Sequence, residues 1–238
     1  MPIVLITGSG RRLGKGLALE FAALGYDIIL HYKKSEKLAE LTFNEIKSLG
    51  VRCYKIEGDV RDFDKMKSEF NNAVNAVGHP DILINNAAIY PKSKNLSDTN
   101  LEIWDSVIDI NLKSYFTLSK LFAENAVKGS RIINIASLGA FSIWKGRIPY
   151  NVSKAGVIQL TKALAKDLAP DISVNSVSPG TIFIPNEPPD EEIKLDIDKI
   201  PMKRYGLIKD VFDAVYFFAT ASIYITGQNL NVDGGLHL

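Results

Sequence analysis

The feature that most constrains the fold is an alternation running the length of the chain, in which short apolar runs are separated by longer amphipathic stretches. The runs are Ile3–Ile6, Asp27–Tyr32, Arg52–Ile56, Asp81–Asn85, Arg131–Ala136, Ile172–Val177 and Asn229–Val232. Helical patterns fill the intervals, over Leu13–Leu24, Glu36–Leu49, Asp62–Val77, Leu101–Val127, Pro149–Leu168 and Ile208–Thr220. A run that is apolar at successive positions leaves no face for water, so it predicts a strand buried on both sides. Strands connected through helices run parallel. The pattern therefore predicts an α/β, doubly wound parallel sheet of about seven strands, a Rossmann fold in a single domain over residues 1–238. Ligands of such sheets sit at the carboxyl ends of the strands.

Charge and composition narrow the function classes. The 28 basic and 27 acidic residues leave a net charge of +1, which gives no footprint for a nucleic-acid partner. The apolar stretch from Val211 to Ile225 holds Asp213 and several hydroxyls and is too short to span a bilayer, so no membrane partner is expected. Met1-Pro2 leads directly into Ile3–Ile6, so no secretion signal is expected. The single cysteine, Cys53, cannot form an intrachain disulfide and suits a reducing, cytoplasmic location.

The chemistry concentrates in Ser137–Gly156, which reads SLGAFSIWKGRIPYNVSKAG. Ser137 closes an apolar run, Tyr150 follows thirteen positions later, and Lys154 four beyond that. On one helix, a spacing of four places Tyr150 and Lys154 on one face a turn apart, and Pro149 suits that helix's first turn. A free phenol titrates near ~10, and a neighbouring ammonium is expected to lower it toward neutrality. The first run ends in Thr7-Gly8-Ser9-Gly10-Arg11-Arg12-Leu13-Gly14, a glycine-rich turn into a helix, which suits a pyrophosphate. The second run ends His31-Tyr32-Lys33-Lys34-Ser35 with no carboxylate, so a 2′-phosphate would meet cations, including Arg11, rather than repulsion. Glu36 comes slightly late and suits the start of the next helix. As plain alternatives, His31 is a polar strand end, Asp59 caps a helix and Asn85-Asn86 form a turn.

Ser137, Tyr150 and Lys154, with Thr7-Gly8, Asn85-Asn86-Ala87-Ala88, Asn111 and Ser178-Pro179-Gly180, resemble the short-chain dehydrogenase/reductase family in its classical form. The resemblance runs from residue 3 to Gly235. It implies catalytic roles for Asn111, Ser137, Tyr150 and Lys154, with Asn111 in a water-linked proton relay. It implies NADPH (NADP) as cofactor, contacted by Gly8, Arg11, Arg12, Leu13, Gly14, His31, Tyr32, Lys33, Lys34, Ser35, Asp59, Val60, Asn86, Ala87, Ala88, Tyr150, Lys154, Pro179, Gly180 and Ile182. No metal is implied. Residues 181–206, rich in proline and acid, correspond to a substrate lid, and a homotetramer paired through the helices at Leu101–Val127 and Pro149–Leu168 is expected.

Two departures bear on the substrate. The family loop T-G-x-x-x-G-x-G has Arg12 at its middle glycine, and this, H-Y-K-K-S and the P-N-E wording of the lid are similar to the pteridine reductase branch. Ser137 points the other way, because that branch carries aspartate there and a serine suits a ketone. The expected activity is reduction of a carbonyl on a small molecule (a 3-oxoacyl thioester or another ketone) with Tyr150 as proton donor. A dihydropteridine substrate is the alternative, and a non-catalytic NADP-sensing protein a distant one. His237 near the end is either a frayed terminus or a visitor to a neighbouring subunit's pocket.

Overall fold

The computed structural model describes residues 1–93, 95–185 and 197–238. Among these, seven strands form one parallel sheet: β1 (Ile3–Ile6), β2 (Asp27–Tyr32), β3 (Cys53–Glu57), β4 (Ile82–Asn85), β5 (Arg131–Ile135), β6 (Ser173–Pro179) and β7 (Asn229–Val232). Their order across the sheet is β3-β2-β1-β4-β5-β6-β7. The chain winds outward from β1 to β3, then crosses back to pair β4 with β1, for example Leu5 beside Leu83. The crevice left at that reversal, at the carboxyl ends of β1 and β4, is where this architecture binds ligands.

The α-helices of the described residues are α1 (Arg12–Ala23), α2 (Glu36–Ser48), α3 (Phe63–Val77), α4 (Leu101–Ile108), α5 (Ser114–Ala123), α6 (Ile148–Asp167) and α7 (Ile208–Thr220). They divide between the two faces as the strand pattern requires. Val4, Ile6, Ile28 and Leu30 pack with Leu17 and Phe21 of α1, Ile46 of α2 and Val211, Phe212 and Val215 of α7. The alternate residues Ile3, Leu5 and Ile29 pack with Met66 and Phe70 of α3, Leu118 and Phe122 of α5, and Leu164 of α6. Period-two alternation thus sends successive apolar side chains into two separate cores. Phe21 anchors the first, edge-on to both Tyr26 and Phe212 at 5.1 Å.

Local signals set the boundaries. Asp62 and Asn100 cap α3 and α4 by accepting from the Lys65 and Ile103 backbone N–H groups. Arg131, at the start of β5, donates to the Ala219 and Ala221 carbonyls and so closes the carboxyl end of α7. The predicted elements agree closely with those observed, with one correction. The single helix expected over Leu101–Val127 is interrupted by a π turn at Asp109–Lys113. Within that turn the side chain of Asn111 accepts from the Ile89 N–H and donates to the Ile89 carbonyl, both at 2.9 Å. Isolated π turns within α-helices commonly mark functional sites. No described helix is long and apolar enough to cross a membrane.

Candidate active site

The glycine-rich turn follows β1 and is stitched to the segment after β4. Thr7 Oγ1 accepts from the backbone N–H groups of Asn86 (2.9 Å) and Ala87 (3.0 Å), while Asn86 Nδ2 donates to the carbonyls of Thr7 and Gly8. The Asn86 amide is therefore occupied in holding the loop. Gly8 has φ +66°, a left-handed conformation that glycine adopts without strain. A Cβ on Gly14 would lie 2.4 Å from the Gly8 carbonyl oxygen, so no larger residue fits this corner. In α1 the Lys15 N–H bonds back to Arg11 O, which leaves the first-turn N–H groups of Leu13 and Gly14 directed out of the helix end, where an anion can sit. Arg12, at the position where the family pattern has glycine, takes φ +54°. The backbone keeps the glycine conformation and bears its strain to place a guanidinium there.

The side chains of His31 and Tyr32, both expected near the cofactor, are held inside the fold. His31 is fully buried: its Nδ1 accepts from the Gly8 N–H at 2.9 Å and its Nε2 lies 3.1 Å from the Gly58 carbonyl. One accepting and one donating nitrogen describe a neutral ring, and burial holds its pKa down to about 4. Tyr32 is buried against the core, and its hydroxyl reaches Glu57. Both residues support the loop from beneath. The sign of the His31 effect follows. An unfolded chain protonates His31 below ~6.5, whereas the folded chain resists until about 4, so stability is full above the first value and falls as pH drops toward the second. Urea unfolding is expected to show that His31→Gln, compared with the parent, removes about 3 kcal/mol of this acid-dependent loss between those limits. An identical pH slope in both proteins would refute the assignment.

Lys33 and Lys34 stand exposed at the end of β2 beside Ser35. Lys33 pairs with Asp59 at 2.5 Å, and Arg61 binds the same carboxylate, holding it well below the usual range. Asp59 thus belongs to a surface ion cluster next to Val60. Pro179 ends β6, and the Gly180 N–H donates to Val232 O. A Cβ on Gly180 would lie 2.9 Å from the Asp233 backbone. Ile182 bridges to Gly206. Residues 186–196 of the expected lid, including its P-N-E wording after Pro185, lie outside the described residues.

At the carboxyl end of β5 the three predicted catalytic side chains converge. Ser137 begins a 3₁₀ turn, its Oγ accepting from the Gly139 N–H at 3.1 Å, and its hydroxyl is among the influences that favour ionisation of the Tyr150 phenol. Tyr150 and Lys154 both lie on α6, and Lys154 Nζ is 5.9 Å from the Tyr150 ring centre. Lys154 is buried and donates to the Ile135 carbonyl at 2.7 Å and to the Tyr115 hydroxyl at 3.3 Å. An ammonium carries three donors, so these two acceptors leave one N–H for a hydroxylated ligand. That spare donor, the cramped glycine corner and the outward helix amides suit a dinucleotide.

The electrostatics overturn one expectation. Burial pushes the Tyr150 phenol up to about 12, with Tyr90 adding to the rise and Ser137 and Arg147 opposing it. Burial also pushes Lys154 down to about 7. The helical spacing of the pair predicts the opposite, a phenol drawn toward neutrality by the lysine. In the protein alone, desolvation of each charged form sets the direction of both shifts. Tyr150 therefore keeps its proton at neutral pH.

Asn111 contacts neither Tyr150 nor Lys154 through its side chain, which is occupied by Ile89 and by Ser153 Oγ at 3.3 Å. Sequence reasoning missed Tyr90, Trp144 and Arg147. Tyr90 meets Tyr150 edge-on at 4.5 Å, and Trp144 lies nearly parallel to Tyr150 at 6.1 Å. The Arg147 guanidinium stands over the Tyr90 ring, 3.7 Å from its centre. Their only signal in sequence is closeness to the asparagine and tyrosine motifs. His237 pairs with Asp233 at 2.6 Å and tilts against Phe141, which follows the Ser137 turn.

A sequence profile of the family described as enoyl-(acyl carrier protein) reductase matches residues 8–237. The chain is 35% identical over 240 residues to 3-oxoacyl-[acyl-carrier-protein] reductase FabG of Staphylococcus epidermidis, covering 98% of each chain. It is 34% identical to 2-dehydro-3-deoxy-D-gluconate 5-dehydrogenase of Escherichia coli, covering 98% of this chain and 94% of that one. Among solved structures, a short-chain dehydrogenase from Burkholderia cenocepacia in complex with NADP superimposes with a TM-score of 0.93 at 31% identity, covering 100% of this chain and 98% of the other.

Proposed function

Since the chain belongs to the short-chain dehydrogenase/reductase family, we propose that it is an NADPH-dependent ketoreductase in which Tyr150 gives up the proton. The observation that carries this reading is the convergence of Ser137, Tyr150 and the buried Lys154 at the carboxyl end of β5, with Lys154 Nζ 5.9 Å from the Tyr150 ring centre. NADPH, when bound, supplies the hydride. Ser137 donates to the substrate oxygen and Tyr150 protonates it as the carbonyl carbon is reduced. The phenolate left behind is stabilised by the Ser137 hydroxyl and by Lys154 in its ammonium form. Lys154 also has the spare N–H to orient the cofactor's ribose. Asn111 fixes the segment after β4 and keeps the π turn open beside it, consistent with a relay through its backbone.

Preference for NADPH is supported by Lys33, Lys34, Ser35, Arg11 and Arg12 around the end of β2 and the start of α1, and the Burkholderia relative binds NADP. Ser137 and the reductase relative favour a ketone. A dihydropteridine is the second reading because Arg12 holds a strained backbone to reach the loop. A homotetramer paired through α4, α5 and α6 is supported by Phe116, Ile148 and Val152, which the single chain leaves 48%, 41% and 46% exposed.

Purified protein is expected to oxidise NADPH with an acetoacetyl thioester, and to prefer NADPH over NADH by at least about tenfold, roughly the value of one charge-assisted contact. Turnover with dihydrobiopterin alone supports the second reading. Tight NADPH binding with neither turned over supports a cofactor sensor.

A further inference from the structure

Lys154 Nζ stands near two phenol rings, 5.9 Å from the centre of Tyr150 and 5.2 Å from the centre of Tyr115. Tyr115 is fully buried, its ring packed with Ala136 and Val157 in a small apolar core of its own. Its hydroxyl donates to the Ile135 carbonyl at 3.2 Å and accepts from Lys154 Nζ at 3.3 Å. Lys154 donates to the same carbonyl at 2.7 Å. Ammonium, hydroxyl and carbonyl therefore close a ring of three hydrogen bonds at the carboxyl end of β5, and all three residues are buried. Burial also pushes the Tyr115 phenol well above its usual range, with Tyr150 adding to the rise, so the hydroxyl stays neutral.

A phenylalanine would fill that apolar core as well and would avoid the cost of burying a hydroxyl. The Ile135 carbonyl does not call for the hydroxyl, because Lys154 already satisfies it. What the hydroxyl adds is a second acceptor for the lysine. The backbone brings it there across the π turn at Asp109–Lys113. A π turn holds one residue more than an α turn, so side chains beyond it are rotated by roughly 100° from where an unbroken helix would put them. Tyr115 is the second residue past that turn. The titratable groups facing Lys154 are Tyr115 from α5 and Tyr150 from its own helix, while β5 presents the Ile135 carbonyl. Among the described residues no carboxylate pairs with the lysine, and burial alone shifts it.

We propose that Tyr115 is a positioning residue for the reaction, its hydroxyl supporting Lys154 in the ammonium form and fixing a second of its three N–H groups, so that the third is left for the cofactor ribose beside Tyr150. The inference rests on the reading of Tyr150 as proton donor with a charged Lys154 next to it. Burial draws Lys154 down to about 7, so near neutral pH an acceptor on the ammonium decides how much of the lysine is charged. A hydrogen bond to a charged group is stronger than the same bond to a neutral one, by an amount that moves a titration about one pH unit.

The test is the pH dependence of kcat for ketone reduction at saturating NADPH. Parent, Tyr115→Phe, Lys154→Met and the double variant are compared, with circular dichroism as the check on folding. In the parent, kcat is expected to fall with rising pH as Lys154 loses its charge. Tyr115→Phe is expected to move that descending limb toward acid by about one pH unit, which lowers kcat about tenfold above the limb and leaves it within about twofold below. In the Lys154→Met background the same change is expected to leave kcat unmoved, because Tyr115 acts through the lysine. Should Tyr115→Phe not fold, Tyr115→Met removes the same hydroxyl and reads the same limb. A limb that stays in place, or an equal loss in both backgrounds, makes Tyr115 a packing residue and overturns the proposal. Parent-like turnover in Lys154→Met would instead remove the reading of the lysine on which it rests.

Discussion

Replacing Tyr150 with phenylalanine is expected to lower kcat for ketone reduction by about 10²- to 10⁴-fold, the usual contribution of a positioned acid. The ring still packs between Tyr90 and Trp144, since both contacts are made by its carbon framework. What disappears is the hydroxyl that gives up the proton. The proton then has to come from water, which is not held in place for the transfer. NADPH affinity is expected to stay within about twofold, because Lys154 keeps its bonds to Ile135 and Tyr115 and the glycine-rich turn lies elsewhere. A matched loss in cofactor binding and turnover would mean that the phenol serves the cofactor rather than the proton.

The second large effect concerns the turn after β1. Gly14→Ala puts a methyl carbon 2.4 Å from Gly8 O, 2.7 Å from Asn86 Nδ2 and 2.9 Å from Ser9 Cα. Two of these neighbours are backbone, and the Asn86 amide is committed to the Thr7 and Gly8 carbonyls, so nothing can yield cheaply. The loop has to move, at about 1–3 kcal/mol for overpacking. The outward amides of α1 shift with it. NADPH affinity is expected to fall by at least about tenfold, corresponding to ~1.4 kcal/mol, as measured by fluorescence titration. Gly50→Asn is the control: Gly50 has φ +82°, a Cβ there would meet nothing within 4 Å, and asparagine tolerates that conformation. Equal losses in the two variants would show general destabilisation instead of a cofactor cradle.

Much of this architecture is legible in the sequence because its signals are local. Strands such as Ile28-Ile29-Leu30 are apolar on both faces since each face meets a different core. Tyr150 and Lys154 share a helix, so their spacing alone brings them together. Other features depend on contacts between distant segments. The π turn leaves the apolar stripe Leu112, Tyr115, Leu118 and Phe122 with a helical period, and only the docking of Asn111 on Ile89 exposes it. Nothing in the sequence beside His31 tells that its ring is seated between Gly8 and Gly58. Tyr90 and Arg147 lie in irregular segments whose meeting no periodicity encodes. The phenol's upward shift belongs to the same class, since desolvation is a property of the packed enclosure and not of a motif.

Single-turnover reduction in a complex preloaded with NADPH deuterated at its transferable position tests the central claim most directly. With the parent protein, deuterium is expected on the former carbonyl carbon of the acetoacetyl thioester, in a step that slows in heavy water because the Tyr150 proton moves with it. The same complex made with Tyr150→Phe is expected to hold NADPH and transfer almost none. Deuterium delivered at the parent rate by the phenylalanine variant would contradict the account.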